Sequence, residues 1–397
     1  MRDEWRKVAV ASLLAFFVLA SYELVRSPIE SLFLAEYSSE SLPRVWLLVA
    51  AGAVGVTAIY NRFANGTAIG RVLRVAILAS IAVLALLLPS RDIFGPVVLY
   101  ALYVWKDVYI VLLVEAFWTL ANSSFGKGTA KWVYGVFCAA GSFGAMAANA
   151  VGGQIALKYG SEVEIWLCVP VLLVAWAISF FVSAPEAERP RSRTYSPLGD
   201  GIEILRSSRP LMAMLVMVLS VQLVVTLIDF EFQRAAEVAF ADTDGRTAAM
   251  HGVYFWISTG ALVMQLLSGV VMKLLGVGGT LLMIPVTIML TIAGLLVSPV
   301  FAVAAAAKVL GKVFDYSVFR TAKEVLYIGL GRRERTEGKA LVDILTYRVA
   351  KGGASLLLQL LIMLGALSLA PWLALVFVAT WLAAAVFLAK HDRRTSS

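Results

Sequence analysis

The chain has 397 residues, of which 60% are hydrophobic and 15% are charged. A soluble domain carries about 25% charged residues, so this composition excludes an ordinary soluble globular protein. Apolar runs of roughly 20 residues, the length that crosses a bilayer, recur along the chain, and strand-period alternation is nowhere sustained. The formal net charge of +8 therefore relates to membrane topology rather than to nucleic acid binding.

The apolar runs predict an all-α integral membrane protein with twelve transmembrane helices in two bundles of six. The first bundle contains the predicted spans 8–35, 43–60, 71–89, 94–121, 132–157 and 164–183. The second contains 210–233, 250–274, 278–297, 299–325, 340–366 and 369–390. We expect an N-terminal bundle at 1–183, a basic cytoplasmic linker at 184–209, and a C-terminal bundle with a short cytoplasmic tail at 210–397.

The orientation follows from the distribution of lysine and arginine. Most of these residues fall on one predicted side, including the linker with its five arginines, and basic loops are typically cytoplasmic. An even number of spans then leaves both termini in the cytoplasm. The basic N-terminus leads into further spans, so we interpret the first span as a signal anchor rather than a cleaved signal peptide.

Ionisable residues inside the predicted spans are the most informative feature of the sequence, because such groups are costly in hydrocarbon and usually face a polar cavity. They concentrate in the first, fourth, seventh, tenth and eleventh spans. The candidates for solute binding are Arg26, Glu30, Lys106, Asp107, Asn122, Asp229, Lys308, Lys312, Asp315 and Lys351. Spans one, four, seven and ten recur at every third helix, so a central cavity lined by these helices explains most of the pattern. This arrangement resembles the major facilitator architecture.

Several of these residues allow a second interpretation. Glu23, Arg26 and Glu30 share one helix face and are either cavity residues or a local ion pair at a helix break near Pro28. Lys308 either lines the cavity, pairs with Asp315 or extends its side chain toward the membrane surface.

Other charged residues suggest proton coupling or gating. The candidate proton carriers are Glu115, Glu23 and Asp229. The candidate gate residues near the cytoplasmic side are Arg320, Lys323, Glu324, Asp343 and Arg348, and Asp343 is equally interpreted as a helix cap.

The sequence offers no pattern typical of a metal site, a cofactor or an enzyme. Cys138 and Cys168 lie within apolar runs, and His251 and His391 have no partner at ligand spacing. No phosphate-binding loop is present, so we expect transport to be driven by an ion gradient or by exchange rather than by nucleotide hydrolysis.

Three stretches carry a resemblance to a known family. They are YELVRSPIESLFL with the following ESLPRVWLLVAAGAVGVTAIYNRFAN, then EAFWTLANS, and finally FRTAKEVLYIGL with GKALVDILTYRVAKGGASLLLQ. Together they resemble the ATP/ADP translocases of plastids and obligate intracellular bacteria, a branch of the major facilitator superfamily. The resemblance implies a divergent bacterial member in the cytoplasmic (inner) membrane.

The resemblance assigns roles to only some of the charged residues. The family's functional lysine in the eleventh span falls on Lys351, and its carboxylate in the seventh span falls on Asp229. The lysine of the first-span cluster falls on Ile29 or Glu30, and the glutamate of the fourth span falls near Lys106. Two charged positions are therefore altered, which leaves recognition of a nucleotide open.

The sequence predicts a secondary transporter that moves a small anionic or phosphorylated solute, nucleotide-like by resemblance, by alternating access between its two bundles. One alternative is proton-coupled transport of another metabolite or a siderophore-like carboxylate. A second alternative is a membrane scaffold that transports nothing. The expected partners are the lipid bilayer, the solute, which is a nucleotide in the first hypothesis, and a coupling proton, and we expect a monomer that binds no nucleic acid.

Overall fold

The computed structural model describes residues 2–64, 67–125, 127–182, 203–331 and 333–396, and the regular structure in these ranges is helical, without strands. The helices of the first half are α1 (Arg2–Tyr37), α2 (Leu42–Ala64), α3 (Ile69–Phe94), α4 (Val98–Ser124), α5 (Lys127–Tyr159) and α6 (Ser161–Ser179). Those of the second half are α7 (Arg209–Ala239), α8 (Thr243–Val297), α9 (Phe301–Phe314), α10 (Arg320–Ile328), α11 (Lys339–Met363) and α12 (Ala370–Ser396). A π-helical turn, Asp315–Phe319, joins α9 to α10.

Glycines in the left-handed region mark two of the helix breaks. Gly160, with φ of 92°, separates α5 from α6, and Gly276, with φ of 68°, interrupts α8. A side chain would be strained at these angles, so glycine is favoured at both positions. The break at Gly276 agrees with the predicted turn between spans eight and nine. By contrast, α1 continues through Pro28, so the helix break of the second interpretation is absent there.

The helices are long and apolar enough to make this an integral membrane protein. Among the described residues, eight helical segments meet the length and hydropathy of a membrane span. Two of them, Ile69–Ser124 and Thr243–Val297, have 56 and 55 residues, far more than the roughly 20 that one crossing needs. Each of these two contains a break. The all-α membrane fold is confirmed, whereas the number of twelve spans stays a prediction.

The chain divides into two units that do not follow the two halves of the sequence strictly, because a short segment of each half belongs to the other unit. Unit 1 comprises the described residues of Met1–Ser41, Leu48–Ser192 and Phe240–Thr259, and unit 2 those of Leu42–Leu47, Arg193–Ala239 and Gly260–Ser397. The first part of α8, here called the 240–259 segment, therefore belongs to unit 1. The predicted linker at 184–209 falls mostly outside the described residues, and the predicted domain boundaries stay a prediction.

One helix lies at the centre of each unit. In unit 1, α1 packs against α4, α5 and α6, and in unit 2, α7 packs against α9, α11 and α12. The apolar windows of α1 and α7 are 56% and 67% buried, against 28% for Ser39–Tyr60. Charged side chains in the middle of α1, such as Glu23 and Glu30, are therefore buried in protein, which is the setting in which buried charges find partners.

Candidate functional site

The first charged cluster lies on α1 in unit 1. Arg26 Nη1 is 3.5 Å from Glu23 Oε1, and Arg26 Nε is 3.7 Å from Glu30 Oε1. These pairs follow from i,i+3 and i,i+4 spacing, which places the three side chains on one face. Both carboxylates are buried, so the guanidinium compensates charges that water does not reach.

Lys106 on α4 joins this cluster from a second helix. Its side chain is 1% exposed, and Nζ lies 3.3 Å from Glu30 Oε1 and 2.8 Å from Asp107 Oδ1. The ammonium also lies 3.9 Å from the centre of the Tyr103 ring. The five charged residues Glu23, Arg26, Glu30, Lys106 and Asp107 form what we call the unit 1 charge cluster.

Tyr254, from the 240–259 segment, completes this cluster. Its hydroxyl donates a hydrogen bond of 2.6 Å to Glu30 Oε2. The Arg26 guanidinium lies 3.7 Å from the centre of the same ring, a cation–π contact. One aromatic residue therefore contacts both an acid and a base of α1.

A chain of polar contacts leads away from Glu23 to residues that the sequence analysis did not select. Asn149 on α5 donates to Glu23 Oε2 at 3.0 Å, and its Oδ1 lies 2.9 Å from His251 Nδ1. His251 Nε2 lies 2.6 Å from Glu164 Oε1 on α6. His251 and Asn149 are 102 residues apart in sequence, so spacing gave no signal of this contact.

The second charged cluster lies in unit 2 and joins α7 to α9. Asp229 lies between two lysines, with Oδ1 3.6 Å from Lys308 Nζ and Oδ2 3.2 Å from Lys312 Nζ. Lys308 is 2% exposed and lies 4.0 Å from the centre of the Phe232 ring. We call Asp229, Lys308 and Lys312 the unit 2 charge cluster. Lys308 pairs with Asp229, a partner that the sequence analysis did not anticipate.

Asp315 lies at the start of the π-helical turn that follows Lys312. Such turns interrupt the regular helix and are frequent at functional sites. Gln265 Nε2 donates to the carbonyl oxygen of Tyr316 at 3.2 Å, which satisfies one backbone acceptor of this turn. The turn therefore begins within one helical turn of Lys312.

The remaining solute and proton candidates lie elsewhere. Glu115 is exposed and lies eight residues beyond Asp107, about 12 Å along α4. Asn122 is exposed at the end of α4 and accepts a hydrogen bond from Tyr134. Lys351 is half-buried on α11, where its carbonyl accepts a hydrogen bond from Ser355. All three stay predicted site residues.

Glu324, a gate candidate, takes part in an ion pair within unit 2. Glu324 on α10 lies 2.5 Å from Lys339 on α11, and both side chains are partly exposed. Arg320 is exposed and Lys323 is half-buried on the same helix as Glu324. The side chains of two further gate candidates lie outside the described residues; they are Asp343 and Arg348. The gate assignment stays a prediction.

Comparison with known proteins shows which proteins part of this chain is similar to. Residues 292–391 match the family described as TLC ATP/ADP transporter. The predicted resemblance to the ATP/ADP translocases is confirmed. The matched region contains α9, with the two paired lysines, and Lys351 on α11.

Relatives with longer alignments agree. The chain is 24% identical over 344 residues to ADP,ATP carrier protein 1 of Chlamydia muridarum, covering 73% of this chain and 64% of the relative. It is also 24% identical over 264 residues to the chloroplastic ADP,ATP carrier protein 1 of Arabidopsis thaliana, covering 59% of this chain and 42% of that protein. The chain thus spans less than two thirds of the length of these translocase relatives.

Solved structures of transporters share the fold. The nucleoside transporter NupG superposes with a TM-score of 0.69 at 12% identity, covering 96% of this chain and 98% of that one. The D-xylose-proton symporter superposes with a TM-score of 0.67 at 14% identity, with 97% of each chain covered. The predicted major-facilitator fold is confirmed.

Proposed function

We propose that the protein is a secondary transporter that moves an anionic, nucleotide-like solute across the membrane by alternating access. The translocase match over 292–391 supports this proposal, because that region includes Lys308, Lys312 and Lys351. The relatives are named ADP,ATP carriers, which favours a nucleoside polyphosphate as the solute.

The observation that carries the proposal is the pairing of two lysines with one carboxylate in unit 2. Asp229 lies within 3.6 Å of both ammonium groups, so two positive charges share this carboxylate as a counterion. A phosphate group offers several oxygen acceptors and greater negative charge than a carboxylate. It can therefore take the place of Asp229 beside the lysines, and Asp229 can return when the solute leaves.

This arrangement also solves the problem of the empty transporter. Lys308 is buried and Lys312 is 14% exposed, so two ammonium groups without a counterion would be costly in the bilayer interior. Asp229 lowers that cost in the empty protein, while its side chain remains 25% exposed. An exchangeable internal carboxylate thus suits a carrier that alternates between loaded and empty states.

The cellular setting is part of the same proposal. The resemblance to the translocases favours the bacterial inner membrane, and the distribution of lysine and arginine favours both termini in the cytoplasm. The carrier acts as a monomer, because one chain supplies both bundles of the proposed alternating-access cycle.

The test is transport by the purified protein in proteoliposomes. Vesicles loaded with unlabelled ADP should take up labelled ATP, whereas adenosine, which lacks phosphate groups, should neither enter nor compete. Protein-free vesicles give the background. Uptake of an organic acid or a neutral nucleoside without any uptake of ATP would overturn the proposed solute and leave the fold unaffected.

A lysine variant sharpens this test. Replacement of the half-buried Lys351 by alanine should abolish ATP uptake while the unfolding temperature stays near that of the wild type. The exposed Lys273 on α8 provides the matched control, and Lys273→Ala should transport normally. Wild-type uptake by Lys351→Ala would remove this residue from the proposed site.

A further inference from the structure

The pair formed by Glu164 and His251 is a second buried site that the solute clusters do not account for. Glu164 is 0% exposed and His251 is 1% exposed, with Oε1 and Nε2 2.6 Å apart. Among the described residues, neither oxygen of Glu164 nor Nε2 of His251 has a hydrogen-bond partner. Two protonatable groups therefore meet in a space that water does not reach.

A glycine on α5 makes room for this pair. A Cβ atom added to Gly152 would lie 2.5 Å from Glu164 Oε1 and 2.6 Å from His251 Cε1, closer than real Cβ atoms approach other atoms. A larger residue at this position would therefore force the carboxyl or the imidazole group to shift. The close approach is a built feature of the packing between α5, α6 and the 240–259 segment.

The hydrogen bonds of Asn149 determine the tautomer of the imidazole. The side-chain nitrogen of Asn149 donates to Glu23 Oε2 at 3.0 Å and to the carbonyl oxygen of Ala145 at 2.9 Å. Its oxygen therefore faces His251 Nδ1, at 2.9 Å. An amide oxygen only accepts, so Nδ1 must carry a proton and donate it.

With the first proton on Nδ1, the contact between Nε2 and Glu164 requires a second one. A carboxylate oxygen and a ring lone pair 2.6 Å apart would repel each other in a buried setting. One proton between them removes the repulsion, either as a carboxylic acid beside neutral imidazole or as a carboxylate beside imidazolium. In both forms the pair holds one exchangeable proton.

Charged and titratable groups surround the pair on the helices that pack against it. On α1 they are Glu23, Arg26 and Glu30, and on the 240–259 segment they are Asp244, Arg246 and Tyr254. Asp244 accepts hydrogen bonds from the backbone N–H and hydroxyl of Ser161, at 2.8 and 2.6 Å. Arg246 donates to the carbonyl oxygen of Ser31 at 3.0 Å. Polar contacts along its length therefore fasten the 240–259 segment to helices of the first half.

We propose that Glu164 and His251 form a proton-binding site whose occupancy holds the 240–259 segment in unit 1. When the segment leaves unit 1, the two side chains separate and meet water. A solvated glutamate and a solvated histidine have pKa values of about 4.3 and 6.5, so near pH 7 the pair then releases its shared proton to water. The segment takes up one proton from water when it returns.

This inference rests on the proposed function and supplies its coupling ion. The 240–259 segment is continuous with α7 and with the remainder of α8, which belong to unit 2. Because alternating access requires the two bundles to move, we assign the release and return of this segment to the transport cycle. Asn149 joins His251 to Glu23, and Glu23 pairs with Arg26. An amide is a poor proton conductor, so the link to the unit 1 charge cluster is electrostatic and positional, and the proton stays at Glu164 and His251.

Transport under an imposed proton gradient tests the proposal. An acidic external solution should stimulate net ATP uptake by the wild type, and Glu164→Gln should lose this stimulation because glutamine takes up no proton. The matched control is Glu162→Gln, two residues earlier on α6, where the side chain is 57% exposed and pairs with Arg91. This control should keep the wild-type stimulation. If the wild type exchanges ATP at the same rate with and without the proton gradient, the proton site is overturned and the proposed function stands.

Nitrogen NMR of the imidazole tests the site without any solute. The chain has two histidines, so His391→Gln leaves His251 as the single labelled ring. Over a pH titration, we expect Nδ1 to keep its proton. The signal of Nε2 should change with pH in the wild type, and this change should disappear in Glu164→Gln. A proton on Nε2 alone, or a titration unaffected by Glu164→Gln, would overturn the proposal. If this signature is present while ATP is not transported, the proton site stands and the proposed solute fails.

Discussion

The two charge clusters differ in the balance of acids and bases, and the difference separates two tasks. In unit 1, Arg26 and Lys106 face three carboxylates, and Glu23, Glu30 and Lys106 are buried. In unit 2, Lys308 and Lys312 both pair with Asp229, whose side chain is partly exposed. The three carboxylates and the tight burial of unit 1 suit a fixed structural network that is linked to a proton. Two lysines beside a partly exposed carboxylate suit reversible binding of an anion.

The largest expected effect is on the stability of unit 1. Lys106→Gln leaves three carboxylates against one arginine, so we expect a loss of about 3 to 5 kcal/mol in the free energy of unfolding. Lys308→Gln in unit 2 leaves Asp229 paired with Lys312 and should cost clearly less. Unfolding of both variants in the same detergent measures the difference. Equal losses would mean that the two clusters do not differ in the way proposed.

A pair of glycine variants tests the packing around Glu164 and His251. Gly152→Ala should destabilise by about 1 to 3 kcal/mol because its Cβ overlaps both side chains. Gly252→Ala, in the same unit, meets no atom within 4 Å and should stabilise by about 0.5 to 1 kcal/mol through helix propensity. In thermal unfolding, the unfolding temperature should fall for Gly152→Ala and rise for Gly252→Ala. A neutral Gly152→Ala would show that the close approach is not required.

The exchangeable carboxylate of unit 2 predicts a kinetic effect. Asp229→Asn removes the internal competitor of the solute, so the KM for ATP should fall while the turnover rate drops about tenfold or more, or about 1.4 kcal/mol. Initial rates over a range of ATP concentrations separate the two parameters. Glu237→Gln, two turns later on α7, is the control. An unchanged turnover rate in Asp229→Asn would contradict the exchange role.

The smallest effect is expected at the partly exposed pair between α10 and α11. Lys339→Gln removes the partner of Glu324, and surface pairs contribute about 0 to 1 kcal/mol. Its unfolding temperature should stay close to that of the wild type. A loss as large as that of Lys106→Gln would give this pair a structural importance comparable to the buried cluster.

The sequence was sufficient for the features that depend on spacing within one helix. Hydropathy predicted the membrane fold, and i,i+3 and i,i+4 spacing predicted that Glu23, Arg26 and Glu30 share a face. The motifs around Lys351 predicted the resemblance to the ATP/ADP translocases, which the match over 292–391 confirms. Each of these signals lies within one continuous segment of the sequence, so it can be recognised without knowing how the helices pack.

The partners across helices were beyond the reach of the sequence. Asp229 was selected as a site residue, but its pairing with Lys308 depends on how α7 packs against α9. Glu164 begins a predicted span, and His251 was interpreted as an isolated residue near a helix end. Their contact depends on the packing of α6, α5 at Gly152 and the 240–259 segment. The residue pattern within a single helix gives no information about this packing.

The most direct test of the division between the two clusters is ATP binding to purified variants of unit 2. Lys312→Gln should weaken ATP binding by about tenfold or more, or about 1.4 kcal/mol, because the phosphate loses one of two cations. Lys273→Gln, an exposed lysine of the same unit, should bind ATP as the wild type does. Wild-type affinity in Lys312→Gln would contradict the account that unit 2 binds the anionic solute.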